Sequence, residues 1–292
     1  MNSQTLNVRK FKISRNFGHR PRNGLKGKLY SFFTWAFGIT NLVKRQQMRD
    51  LFAALNPTKN DVIVDFGCSS GYISMELAKY VKKAIGVDIK QNTSQVPDAV
   101  KNSVEFRSYD GQIDNIPVQK EECNKILAGE VLQAIDNNEA LFAKFHQILM
   151  PEGELYVLHG VGRPVIEKAY DNNHWLLNVL RKFGGPKSYE EYQGLLNEEF
   201  RATSEKFITT SDIKKDMENA GFKIDSEINT PVDSVVYVVD WAQFILKVVF
   251  GKSRHLNNPI VFLLLTPVCE IARLISDKRE IEYCVLIKAI RG

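Results

Sequence analysis

The sequence predicts an α/β fold, a doubly wound, mostly parallel seven-stranded sheet with helical insertions. Three observations carry this expectation. Short β-branched runs alternate with helical segments from about residue 41 to residue 228, the pattern of a parallel sheet with crossover helices. The first clear run, Val62-Ile63-Val64-Asp65-Phe66, ends in a turn whose two glycines, Gly67 and Gly71, stand four apart and lead into a helix. A second run, Ala84-Ile85-Gly86-Val87, ends in Asp88, 21 residues beyond Gly67. Strand, glycine turn and helix N-terminus form a nucleotide cradle, because glycine lets the backbone approach a ligand closely. The 21-residue spacing lets a carboxylate reach a ribose hydroxyl.

The elements follow in order. Residues 1–44 form a basic, aromatic N-terminal arm, with a dense aromatic stretch at 29–37. A helix over 41–55 is stopped by Pro57. Strands are expected at 61–66, 83–88, 104–108, 125–129 and 154–159, with helices at 72–81 and 138–149 and a turn at Pro151-Glu152-Gly153. A polar–aromatic insertion spans 163–206, and Thr210-Ser211-Asp212-Ile213 caps a helix that stops at Gly221. Strand six runs over 222–228 and the final strand over 282–290, separated by a strongly apolar insertion at 230–280. Residues 45–292 thus read as one domain with two insertions, without internal repeats.

At the glycine turn and the two acidic strand ends, the chain resembles the class I S-adenosylmethionine-dependent methyltransferases. Their first motif runs apolar-apolar-Asp-x-Gly-Cys-Gly-x-Gly, here Val64-Asp65-Phe66-Gly67-Cys68-Ser69-Ser70-Gly71. The resemblance extends through roughly residues 45 to 225 and returns in the last strand. It implies a Rossmann-like methyltransferase fold and S-adenosylmethionine as cofactor. Asp65 would lie near the turn amides and the cofactor's amino group, with Gly67, Ser69 and Gly71 beside its methionine portion. Asp88 would accept the ribose hydroxyls, Ile89 would face the adenine, and Asp110-Gly111 would meet the adenine amino group. Gly129-Glu130 would lie beneath the cofactor. The family's usual glycine is replaced by Ser69, which would cost roughly 1–2 kcal/mol at positive φ.

A methyl group on sulfonium sulfur is already activated, so proximity and in-line alignment supply most of the rate. If a general base is used, His159 at the end of strand five is the candidate, against the plain alternative of a packed histidine. Tyr170 and His174 are candidate lining residues of the acceptor pocket, with 163–206 as its lid. Gly67-Cys68-Ser69-Ser70-Gly71 also satisfies G-x-S-x-G, the nucleophile elbow of α/β-hydrolases, with Asp233 or Asp240 and His255 as partners. That elbow should follow several strands, however. Here it follows the first, no His-Gly-Gly-Gly segment precedes it, and Asp65 and Asp88 would be unexplained. A second alternative is a binding protein that keeps the fold without catalysis.

Composition narrows the partners. Four scattered cysteines without a C-x-x-C pair point to a reducing, cytoplasmic compartment and away from a zinc site, and no metal is expected. Residues 1–49 hold eleven Lys/Arg and no Asp or Glu, whereas the remainder carries 28 basic and 34 acidic side chains. A basic arm on an acidic body fits an anionic membrane surface better than nucleic acid, for which no recognition motif exists. At 232–250, Asp233, Asp240 and Lys247 form a narrow polar stripe on an apolar helix, and 259–275 is apolar but broken by Pro267. Asp240 near the middle costs about 2.5–3.5 kcal/mol against membrane insertion, so spanning is not expected. Helices lying on the inner face of a membrane, walling a greasy pocket or forming a homodimer interface are the readings left open. The acceptor these features favour is hydrophobic or lipid-linked.

Overall fold

The computed structural model describes residues 11, 13, 42–90, 96–161, 164–172, 174–182, 185–199, 208–250, 259–276 and 278–292. The rest of the basic arm, with its aromatic stretch, lies outside the described residues, as does His255.

Seven strands form one sheet in the order β3-β2-β1-β4-β5-β7-β6. They are β1 (Val62–Phe66), β2 (Lys83–Asp88), β3 (Val104–Ser108), β4 (Cys123–Gly129), β5 (Leu149–Gly160), β6 (Phe222–Thr230) and β7 (Cys284–Arg291). Only β7 is antiparallel, lying between β5 and β6. β1 is central and buried on both faces. Val64 and Phe66 pack under α3 (Asn138–Ile148) and α7 (Thr210–Asn219), whereas Ile63 packs under α1 (Leu42–Leu55) and α2 (Tyr72–Leu77). That alternation follows from the two-residue period of a strand. The doubly wound architecture is as expected.

β1 to β6 all point the same way, so their carboxyl ends open on one edge. The chain leaves β1 between neighbours β2 and β4, the topological switch point where ligands of such sheets bind. Both insertions spring from this edge. One carries α4 (Pro164–Asp171), α5 (Trp175–Lys182) and α6 (Tyr189–Glu199) after β5. The other carries α8 (Asp233–Phe250) and α9 (Pro259–Ile275) after β6. They form one body, in which Ile166, Leu177, Leu180, Tyr192 and Phe244 share a core.

The boundaries needed several corrections. The helix expected over 72–81 ends at Leu77 and continues as turns. The turn at 151–153 lies inside β5, where the ladder skips from Leu149 to Glu154 and Glu152 adopts φ 60°. The capping residue of α7 is Thr209, whose hydroxyl accepts from Asp212 N while Asp212 reaches back to Thr209 N. Pro267 does not break α9. Cys269 buried against α8 and Arg273 bound to α1 hold the turns beyond it, and outweigh the missing hydrogen bond. Of the polar stripe of α8, Asp233 and Asp240 are buried and Lys247 is half-buried. The Asp233 carboxylate accepts from Glu280 N and Ile281 N at 3.1 and 2.8 Å. Among the described residues, no helix is long and apolar enough to cross a membrane.

A buried ion cluster ties the carboxyl edge together. Asp50 of α1 is fully buried and accepts from both Arg279 Nη atoms, at 2.9 and 3.0 Å, from Arg273 Nη2 and from Thr230 Oγ1 at 2.7 Å. Burial alone would raise its pKa, but the hydrogen bond and charge of Arg279, with the charge of Arg273, hold it below the usual carboxylate range. Asp50→Asn leaves two guanidinium groups with their charge uncompensated, and should cost roughly 3–5 kcal/mol. Urea unfolding should show a lower midpoint at unchanged slope. A loss under about 1 kcal/mol, the value of a surface pair, would show that the cluster is peripheral.

Candidate active site

The turn after β1 owes its shape to three residues with positive φ, Gly67 (74°), Ser69 (48°) and Gly71 (72°). A Cβ on Gly67 would stand 2.5 Å from Val131 Cγ2, and one on Gly71 would stand 2.5 Å from the Phe106 ring. Neither site admits a side chain, which explains both glycines physically. Gly67 N and Cys68 N donate to Val87 O at 2.8 and 3.2 Å, fastening the turn to the end of β2. Ser69 sits in the left-handed region, so the cost attached to a positive φ applies there. Its N–H donates to Asp88 Oδ2 at 2.7 Å, a charge-assisted bond that offsets part of the backbone cost. The Ser69 side chain is exposed.

Asp88 Oδ1 accepts from Lys90 N at 3.0 Å. Two backbone donors thus orient the carboxylate, and each oxygen keeps a second lone pair for a ribose diol. Ile89 is 56% exposed, and a Cβ on Gly111 would lie 3.8 Å from its Cγ2, so these residues border one apolar ledge. Asp110 is held by Gln112 N at 2.9 Å and Asn115 Nδ2 at 2.7 Å. The Asn115 bond, then the backbone bond, lowers its pKa, so it stays ionised. At Gly129 an added Cβ would meet nothing within 4 Å, which leaves open space at the end of β4. Glu130, at φ 53°, donates its N–H to Leu158 O at 2.8 Å and is braced by Gln133 Nε2 on its carbonyl at 3.0 Å.

Asp65 is buried and accepts the Ser74 hydroxyl at 2.5 Å. Burial is the main force that raises its pKa to about 7, with the charge of Asp88 adding to it and the Ser74 bonds opposing it. Asp65 and Asp88 stand at the carboxyl ends of β1 and β2, and Asp110 lies just beyond β3, an acidic set suited to a cationic ligand. Ser74 and Phe106 are the residues that sequence reasoning missed. A serine in the first turn of the helix that follows the glycine turn was the available signal for Ser74; Phe106 carried none.

His159 is buried at the end of β5, one residue beyond the carbonyl that receives Glu130 N. Its Nε2 donates to Ile208 O at 2.7 Å, since a carbonyl can only accept, so in the tautomer with one ring hydrogen the lone pair is on Nδ1. Among the described residues, Nδ1 is buried without a hydrogen-bond partner. Tyr170 and His174 lie apart from the cradle, inside the insertion body. Tyr170 donates to Pro186 O at 3.0 Å, and burial raises its pKa to about 12. His174 accepts from Leu176 N at 3.3 Å and faces Trp241 at 5.0 Å. Of the residues a hydrolase would use, Asp233 caps 280–281, Asp240 is buried in α8 and His255 lies outside the described residues.

A family described as a methyltransferase domain matches residues 43–227, well over half of the chain. A probable cobalt-precorrin-6B C(15)-methyltransferase (decarboxylating) from Archaeoglobus fulgidus is 40% identical over 47 residues, 16% of this chain and 29% of that protein. Among solved structures, a geranyl diphosphate methyltransferase in complex with GPP and sinefungin is 14% identical, with a TM-score of 0.55 over 90% of this chain and 83% of that one. A second, from Streptomyces coelicolor A3(2), is 14% identical with a TM-score of 0.50 over 97% and 90%. At that identity the likeness shows the fold. The chain belongs to the methyltransferase-domain family. S-adenosylmethionine is the cofactor its cradle fits, where Asp88 would accept from the ribose and the carboxylates at the strand ends would meet the cofactor's positive charge.

S-adenosylhomocysteine at about 100 times its Kd should stabilise the fold by about 2.7 kcal/mol and raise the melting midpoint by several degrees. Asp88→Ala should remove most of that shift, while Ser69→Gly should keep it. No shift at millimolar ligand would remove the cofactor assignment.

The pH dependence has a definite sign. With the folded pKa of Asp65 raised to about 7 from an ordinary 3.8, the free folded protein keeps a proton that the unfolded chain has released. This group therefore lowers the stability of the free protein as pH rises from about 4 to about 7. A cationic ligand favours the ionised carboxylate, so ligand affinity should climb over the same window, by up to about tenfold per pH unit. Thermal shifts measured across pH should show the climb, and Asp65→Asn should flatten it.

Proposed function

We propose that this protein transfers the methyl group of S-adenosylmethionine to a hydrophobic or lipid-linked small molecule, working at the cytoplasmic face of a membrane. The observation that carries this reading is the insertion body at the carboxyl edge of the sheet. Tyr192 and Phe244 pack edge to face at 4.9 Å, and Trp241 meets Phe244 at 5.8 Å. An aromatic-rich body inserted after the carboxyl ends of β5 and β6 supports an apolar acceptor, because burying each methylene yields about 0.8 kcal/mol. The bound sulfonium supplies an activated methyl group and needs little acid–base help.

In this mechanism the glycine turn and Asp88 fix the cofactor's position, and Asp65 holds its ammonium. If the acceptor is a hydroxyl, His159 Nδ1 takes its proton, while Nε2 remains on Ile208 O and keeps the ring oriented. Tyr170 and His174 act through the insertion body, keeping its aromatic wall in place.

Two measurements test the reading. With methyl-labelled cofactor and acceptors from water-soluble amines to prenylated phenols, label should enter the organic phase. Label found only in water-soluble products would overturn the acceptor class. His159→Asn should lower kcat by about 10²-fold or more on hydroxyl acceptors while leaving the S-adenosylhomocysteine thermal shift intact. An unchanged kcat would return His159 to a packing role.

A further inference from the structure

Ser74 is fully buried, and no step of the proposed transfer uses it. A serine within a helix ordinarily turns its hydroxyl back to the carbonyl one turn earlier. Here the hydroxyl leaves α2 and donates to Asp65 Oδ2 at 2.5 Å. The sheet is shaped to admit it. Asp65 of β1 stands beside Gly86 of β2 in the parallel ladder. A Cβ on Gly86 would lie 2.8 Å from Ser74 Oγ and 2.6 Å from the Phe106 ring. Glycine inside a strand weakens it and marks a close approach. Ser74 and Phe106 take the space that a side chain at Gly86 would fill, so the hydroxyl is confined beside the Asp65–Gly86 pair.

The surroundings of Asp65 give that bond its weight. Facing the carboxylate are Ser74 of α2, Asp88 at the end of β2 and the Cys68 thiol in the turn. On β4, its register partner is the apolar Leu127. Asp88 disfavours the ionised form. Burial, then the charges of Asp65 and Asp88, raise the pKa of Cys68, which stays a neutral thiol. Among the described residues, no hydrogen bond or ion pair joins Asp65 to a basic side chain. A buried carboxylate in that position depends on its hydrogen bonds, and a bond to an ionised acceptor is of the stronger kind.

We propose that Ser74 is a positioning residue for cofactor binding, whose hydroxyl orients the Asp65 carboxylate and favours its ionised form, so that the site accepts a cationic amine near neutral pH. This deepens the reading of the cradle as an S-adenosylmethionine site, and rests on it.

Two measurements on the full-length protein test this. The first is titration calorimetry with S-adenosylhomocysteine across pH. Ser74→Ala should move the climb in affinity to higher pH, with about a tenfold loss near pH 6 and about twofold or less near pH 8.5. In an Asp65→Asn background, the same substitution should change affinity by about twofold or less at any pH. The second is urea unfolding of the free protein. The fall in stability linked to Asp65 runs from about pH 4 to about pH 7, and should extend beyond pH 7 in Ser74→Ala. Should Ser74→Ala fail to fold, Ser74→Cys, whose thiol is a weak donor, should show both shifts in smaller measure. A loss of affinity equal at all pH values, a full effect in the Asp65→Asn background, or an unmoved unfolding profile would overturn the proposal and leave Ser74 a packing residue, with the cofactor reading intact. No binding of S-adenosylhomocysteine by the unmodified protein at any pH would remove the cofactor reading, and the binding role of Ser74 with it.

Discussion

A carboxylate with none of its surface exposed, Asp50, receives two arginines and a threonine at the carboxyl edge of the sheet. Its partners come from three places: Thr230 ends β6, Arg273 belongs to α9, and Arg279 lies on the approach to β7. One ionised group thereby holds the first described helix, the last two strands and the apolar insertion in register. Without its charge, α1 would keep its apolar seat on the sheet through Leu51, Phe52 and Leu55. The insertion would lose the contact that sets how α9 lies against α1.

The cradle follows a different physical logic. Gly67 and Gly71 exist to clear Val131 and Phe106, and Ser69 tolerates a backbone conformation unfavourable to it by lending its N–H to Asp88. Burial makes Asp65 hold its proton more tightly than an ordinary carboxylate, and the nearby charge of Asp88 adds to that effect. A cation entering the cleft reverses that balance. The binding site is therefore poised electrostatically before any ligand arrives, at a modest cost in stability to the free protein.

What was legible in the sequence was local. The glycine turn, the acidic strand ends and the alternation of strand with helix each lie within a short window, and each proved sound. What escaped depends on residues far apart in the chain. Arg279 and Asp50 are 229 residues apart, and no spacing rule joins them. Pro267 read as a break because propensity argues so, and only packing on α8 and the grip on Arg273 show why the helix continues. The inward turn of Asp233 could not be foreseen without the 280–281 backbone that it caps. The candidate residues of the first insertion were recognised by type, but their partners, Pro186 and Trp241, come from folding of the whole body.

The place of β7 carries a consequence for the order of events. β6 reaches the sheet only through β7, which pairs with β5 on its other side. During synthesis, β5 and β6 emerge well before the strand that joins them, with α8 and α9 between. Until β7 arrives, β5 presents an open edge and β6 has no ladder to enter. Closing that gap brings together segments separated by the whole apolar insertion, a slow step of high contact order. The β1–β5 half can form its parallel ladder early, so the cofactor half should mature first and the acceptor half last. The vulnerable interval lies between them, when a bare strand edge and two greasy helices are exposed together.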